Sequence, residues 1–127
     1  MKRSFHLAPT NSTPEVLLDM EEATFELRGV CVPEDSAAFF RPIIKELDLF
    51  IPTIRTGAVF TFNLKYFNSS SLKGIYYIMR QVDQANDNGK GIKVVWMIEQ
   101  EDEFMTDSAL TFKELISTPI QIRSAAA

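Results

Sequence analysis

Between Thr56 and Asn88 the spacing of apolar residues changes period once, and the change dictates a strand, a polar corner and then a helix. Phe60, Phe62, Leu64 and Tyr66 alternate with Thr61, Asn63 and Lys65, which places the aromatic and aliphatic set on one face of a strand. From Leu72 onward the period lengthens. Leu72, Ile75, Met79 and Val82 fall at helical spacing, with Lys73, Arg80 and Gln81 turned away from that stripe, the pattern of a surface helix over a core. The corner between the two is Asn68-Ser69-Ser70-Ser71. Asn and Ser are good helix N-caps because a side-chain oxygen accepts from the unpaired N–H groups of the first turn. The same position sets hydroxyls beside exposed N–H groups and the positive end of the helix dipole, where a phosphate dianion is also accommodated. Two readings stay open from this alone: capping, or capping together with phosphorylation.

The flanking segments supply the rest of a sheet and its cover. Residues 1–14 are a polar lead-in punctuated by Pro9 and Pro14, expected to be an extended, partly ordered arm. Val16, Leu17 and Leu18 make a short strand, and the stretch from about Ala23 to Val32 makes a second, forming a hairpin that begins the sheet. Pro33-Glu34-Asp35-Ser36 opens a helix, capped by Asp35 or Ser36, with Phe39 or Phe40, Ile43, Ile44, Leu47 and Phe50 as its buried stripe. Pro42 is expected to kink that helix or to move its start later, because a proline in the interior removes one hydrogen bond. Pro52 ends it. Gly89 is available as a left-handed C-cap after the serine helix. Ile92, Val94, Trp96 and Ile98 then form an interior strand, and Met105, Ala109, Phe112 and Ile116 lie at the spacing of a third helix. Ile120 and Ile122 fit a final edge strand with Pro119 at its start, and residues 124–127 read as a tail. The order strand, strand, helix, strand, helix, strand, helix, strand predicts a single α/β domain with a mixed sheet, an N-terminal hairpin and helices packed mainly on one face.

At 127 residues the chain is one ordinary domain, large enough to bury a core without disulfides or metal. A hydrophobic share of 46% against 24% charged residues disfavours disorder over most of the length. The net charge of −4, with no basic cluster, argues against nucleic-acid binding. No apolar run approaches the roughly 18 residues of a spanning helix, so no membrane insertion is expected. Cys31 is the lone cysteine and no secretory leader follows Met1-Lys2-Arg3, so the expected compartment is the cytoplasm. His6 is the sole histidine and lies in the arm, a poor base for a serine hydrolase. Cys31 and His6 lack companion metal ligands, residues 99–103 read as a solvated acidic loop, and Gly89-Lys90-Gly91 lacks the spacing of a phosphate loop. No cofactor and no metal are expected. Trp96 shares a face with Ile92, Val94 and Ile98 and reads as core.

Ser12-Thr13-Pro14, Pro33-Glu34-Asp35-Ser36, Phe39-Phe40-Arg41-Pro42-Ile43, Tyr66-Phe67-Asn68-Ser69-Ser70-Ser71 and Glu101-Asp102-Glu103-Phe104-Met105 follow one another in an order that resembles the SiaC family of regulatory phosphoproteins, from about Leu7 to Ile122. The resemblance implies a fold similar to STAS domains of anti-sigma-factor antagonists, and a partner switch. It implies that a dedicated Ser/Thr kinase phosphorylates the residue after the corner asparagine, that a PP2C-like phosphatase reverses this, and that the unphosphorylated form binds and activates a diguanylate cyclase. Carried onto this chain, the modified residue is Ser69, which stands where the best-known member has threonine, with Ser70 and Ser71 as neighbouring alternatives. Tyr66, Asn68, Ser69, Ser70, Ser71 and Lys73 are then the expected partner-binding residues. The competing expectations are a constitutive STAS-like binding module, in which the serines only cap the helix, and a small serine hydrolase.

Overall fold

The structure, a computed structural model, describes residues 4–99 and 101–124. In chain order the elements are β1 Ser4–Leu7, β2 Glu15–Asp19, β3 Thr24–Cys31, α1 Ser36–Phe50, β4 Val59–Phe67, α2 Ser69–Asp87, β5 Lys93–Ile98, α3 Glu103–Leu115 and β6 Ile120–Ser124. The six strands form one sheet whose spatial order is the chain order, β1-β2-β3-β4-β5-β6. The β1/β2 and β2/β3 pairs are antiparallel, and β3 through β6 are parallel. Each parallel step passes through one helix and moves the same way across the sheet, so right-handed crossovers put α1, α2 and α3 on one face. The α/β class, the mixed sheet and the one-sided helix layer are therefore as the periodicity predicts. On the uncovered face the register lines up Leu17, Glu26, Thr61, Val95 and Gln121, a row of mixed polarity.

Between sheet and helices lies a core dominated by rings. Phe25, Phe60, Phe62, Phe67, Trp96 and Phe112 are all buried, and Trp96 stacks on Phe62 with centroids 5.8 Å apart while its indole N–H donates to the Met105 carbonyl at 3.1 Å. Met105, Ala109, Phe112 and Ile116 bury the stripe of α3, and Ile75, Met79 and Val82 that of α2. Gly89 has φ +82 and ends α2 with its N–H on the Asn86 carbonyl and the Lys90 N–H on that of Ala85, a Schellman closure.

Five expectations change in detail. The arm contains β1, paired with β2 from Ser4↔Asp19 to Leu7↔Val16, so the hairpin has a third strand; the arm's few apolar residues did not signal it. Helix α1 starts at Ser36 with Asp35 as cap, its carboxylate accepting from the Ala38 N–H at 3.0 Å; Pro42 sits inside it without delaying the start. Tyr66 does not share the inner face with Phe60, Phe62 and Leu64. Gly29 pairs with Leu64 and Val30 with Tyr66, so Lys65 is an extra residue, and the bulge swings Tyr66 outward and Phe67 inward. Gln81 is not turned to solvent but donates to the Ile44 carbonyl at 3.0 Å and Asp48 at 2.8 Å, tying α2 to α1. Ser124 of the expected tail ends β6, while residues 1–3, 100 and 125–127 lie outside the described residues.

Candidate functional site

The corner after β4 is held from three directions. The Asn68 N–H donates to the Cys31 carbonyl at the end of β3 at 3.1 Å, fixing the backbone where the strand stops. With φ −83 and ψ 166 Asn68 is the N-cap of α2, and its Oδ1 accepts the Ser71 N–H at 3.1 Å, the Ser71 hydroxyl at 2.6 Å and the Ser70 hydroxyl at 3.1 Å. Ser70 thereby spends its proton on Asn68, which leaves the Ser36 hydroxyl of α1 as donor in their 2.7 Å contact. Ser36 also lies 3.3 Å from Ser71. The starts of α1 and α2 are thus stitched together by hydroxyls.

This arrangement sorts the three serines. Ser71 is fully buried, with the Cys31 carbonyl as a longer second acceptor at 3.4 Å, and has no room for a further group. Ser70 is exposed but engaged on both sides. Ser69, at the first helical position, is exposed, and its hydroxyl makes no hydrogen bond among the described residues. No acidic side chain occupies the first turn of α2, so the positive end of its dipole is unopposed there. Burial pushes the Cys31 thiol above its ordinary range, partly opposed by its hydrogen bond with Ser71. It stays protonated at neutral pH and acts as packing, not as a nucleophile.

Below the corner α1 and α2 run side by side, and a groove with a cavity volume of about 270 Å³ lies between them. Gly74 lets them approach, since a Cβ at that position would overlap the Phe40 ring. Phe40, Ile44, Gly74 and Tyr77 make an apolar floor, while Ser36 and Ser70 close its upper end. Arg41 stands on the α1 side and Lys73 on the α2 side, with the Lys73 ammonium 5.6 Å from the Tyr77 ring centroid. Of the residues expected to bind a partner, Asn68, Ser70 and Ser71 are directly bonded and Lys73 shares the groove with Ser70. Tyr66 is placed elsewhere: 47% exposed, it packs on Phe104, itself 43% exposed, at a centroid distance of 5.0 Å. Ser36, Arg41 and Gly74 escape a reading of the corner alone, because the pairing of α1 with α2 brings them in from other segments.

The site offers no hydrolytic apparatus among the described residues. The side-chain hydrogen bonds of the serine hydroxyls run to Asn68, Ser36 and the Cys31 carbonyl. His6 is on β1, bonded to Glu15 at 2.9 Å, and Glu15 also takes Arg28 at 2.8 Å. The strand order never reverses, so the sheet lacks the crevice that a change of winding direction opens at the carboxyl ends of parallel strands. No group of three potential metal-ligating side chains exists among the described residues, and no described helix is long and apolar enough to cross a membrane.

Comparison with known proteins agrees with this architecture. The model of the SiaC family of regulatory phosphoproteins matches residues 7–125. The chain belongs to the SiaC family. An uncharacterized protein of Pseudomonas aeruginosa (strain UCBPP-PA14) is 25% identical over 119 residues, covering 94% of each chain. Among solved structures, SiaC of Pseudomonas aeruginosa in complex with the diguanylate cyclase SiaD, which it activates, superposes with a TM-score of 0.88 at 25% identity. That match covers 95% of this chain and 99% of the other. The apo form of the Pseudomonas SiaC gives a TM-score of 0.85 at 24% identity over 95% of this chain and 98% of that one, which shows the shared fold.

Proposed function

We propose that this SiaC-family chain is a non-enzymatic, phosphorylation-controlled adaptor of the cytoplasm. Its unphosphorylated form binds and activates a diguanylate cyclase, and phosphorylation of Ser69 by a dedicated Ser/Thr kinase, reversed by a PP2C-like phosphatase, releases that partner. The observation that carries the reading is the division of labour at the corner: Ser71 is buried, Ser70 is tied to Ser36 and Asn68, and Ser69 alone of the three presents an exposed, unengaged hydroxyl at the open end of the α2 dipole. The cyclase complex of the Pseudomonas relative supports the choice of partner. A phosphate at Ser69 adds about −1.5 to −2 charges to a surface that has to shed water on docking. Weakening binding about a hundredfold requires about 2.7 kcal/mol, within reach of such a charge at an interface.

The test is phosphopeptide mass spectrometry on the protein isolated from its own cells, before and after a PP2C-type phosphatase, followed by binding of the cyclase to both forms. Phosphate on Ser69 that the enzyme removes, with cyclase binding weakened about a hundredfold in the phosphorylated form, is the expected result. Unchanged binding by Ser69→Asp and by the phosphorylated form makes the chain a constitutive binding module instead.

A further inference from the structure

The groove between α1 and α2 has a composition that states what fits it. Its walls, from Ala37 to Ile44 on one side and Ser70 to Tyr77 on the other, run for about two helical turns, or about 11 Å. Beyond the first turns, most N–H and C=O groups along both walls are spent within α1 and α2, so an extended peptide would find no continuous backbone ladder to join. A helix, which satisfies its own backbone, needs only apolar anchors at i, i+3 and i+4 for such a floor. Arg41 and Lys73 face one another across the mouth, and neither has a carboxylate partner among the described residues. Above them the N-terminal end of α2, with an uncharged cap and no acidic residue in its first turn, meets that of α1, which Asp35 caps. Two cations are too few for a nucleic acid, which needs a longer basic track.

We propose that this groove receives an amphipathic partner helix whose apolar anchors lie on Phe40, Ile44 and Tyr77 and whose flanking Asp or Glu side chains pair with Arg41 and Lys73. The inference rests on the partner-switch reading for its regulation. Ser69 and Lys73 are four residues apart on the exposed side of α2, the spacing at which side chains of opposite charge meet. A phosphate on Ser69 takes Lys73 for itself and sets a dianion against the incoming carboxylates. The switch works by removing the partner's counter-charge, and the fold need not move.

Photo-crosslinking in the native cells tests this, with p-benzoylphenylalanine in place of Ala37 in the groove and, as control, in place of exposed Leu110 on α3. The expected adduct forms from position 37 and maps by mass spectrometry to an apolar residue of a helix carrying Asp or Glu within one turn. Its yield falls about tenfold or more with Arg41→Glu plus Lys73→Glu and stays within about twofold with Lys113→Glu, the variants being matched for thermal unfolding. An adduct on a basic or extended segment, an adduct indifferent to Arg41 and Lys73, or no adduct from position 37 overturns the proposal. If the mapped acidic helix belongs to a protein other than a cyclase, or if Ser69→Asp leaves the yield unchanged, the groove assignment stands and the switch described above falls.

Discussion

Two helix starts lie at the same end of the parallel strands, one uncharged and one acidic. Helix α2 begins with an uncharged cap, Asn68, and three serines; helix α3 begins with Asp102, whose carboxylate accepts from the Met105 N–H at 3.0 Å, and has Glu103 in its first turn. The α3 end has its dipole balanced permanently by side chains and ends in a basic last turn with Lys113. At α2 the balancing charge is missing. A negative group added there meets an unopposed dipole and finds Lys73 one turn on, so the fold tolerates it. The same group added at α3 would meet Glu101, Asp102, Glu103 and Asp107. The difference teaches that of the two helix starts only that of α2 leaves room for an added negative charge.

The largest effect that tests this contrast is within the corner itself. Ser71→Asp should cost about 4 kcal/mol or abolish folding, because a carboxylate in that buried site has only the cap oxygen and carbonyls around it. Ser69→Asp, two residues away, should leave the urea midpoint nearly unchanged; equal losses at the two positions would remove the distinction. Next come the caps. Asn68→Ala should cost about 2 kcal/mol and Asp102→Ala about 1 kcal/mol in chemical denaturation, since Asn68 Oδ1 takes three donors and Asp102 Oδ1 one backbone N–H in the contacts described. A larger loss at Asp102 would mean that the hydroxyl cluster contributes little. Ser69→Asp should raise stability by about 0.5 kcal/mol at low ionic strength through the dipole, an increment that salt removes.

The smallest effect is in acid, at the far ends of these two helices. Asp83 of α2 accepts the Ser117 and Thr118 N–H groups and the Thr118 hydroxyl at 2.8, 2.9 and 2.6 Å, clasping the turn after α3. Burial raises its pKa, but those bonds and the charge of Arg80 outweigh it, and the net position is below the ordinary 3.8. A carboxyl depressed in the folded state gives stability that is present above 3.8 and lost as pH falls through the lower folded value. Asp83→Asn should therefore flatten the acid limb of a stability profile below pH about 4; an unchanged limb would place the acid sensitivity in other carboxylates.

Much of the fold was legible because it is written in local periods: the change at Asn68, the Trp96 strand and the Met105 to Ile116 stripe each stand where the spacing puts them. Tyr66 was misplaced because a bulge depends on pairing with Gly29 and Val30, which no period in β4 encodes. β1 was missed because a four-residue edge strand owes its order to a partner rather than to its own pattern. At the site, the corner could be read and its sorting could not. Which serine is buried follows from how Ser36 and Cys31 approach, and the groove exists because Gly74 admits Phe40 from a segment more than thirty residues upstream.

The agreement of spatial and chain order in the sheet bears on how the molecule is made. Every strand is laid against the one synthesised just before it, each parallel step spanning a single helix, so β5 and β6 can be added to an existing edge. Cys31, Ser36 and Asn68, the side-chain hydrogen-bond partners of the serines, all precede them in the chain. On a ribosome, with the N-terminal part emerging first, the corner finds its partners already in place as α2 forms, and the later strands close the core behind a corner that is already assembled.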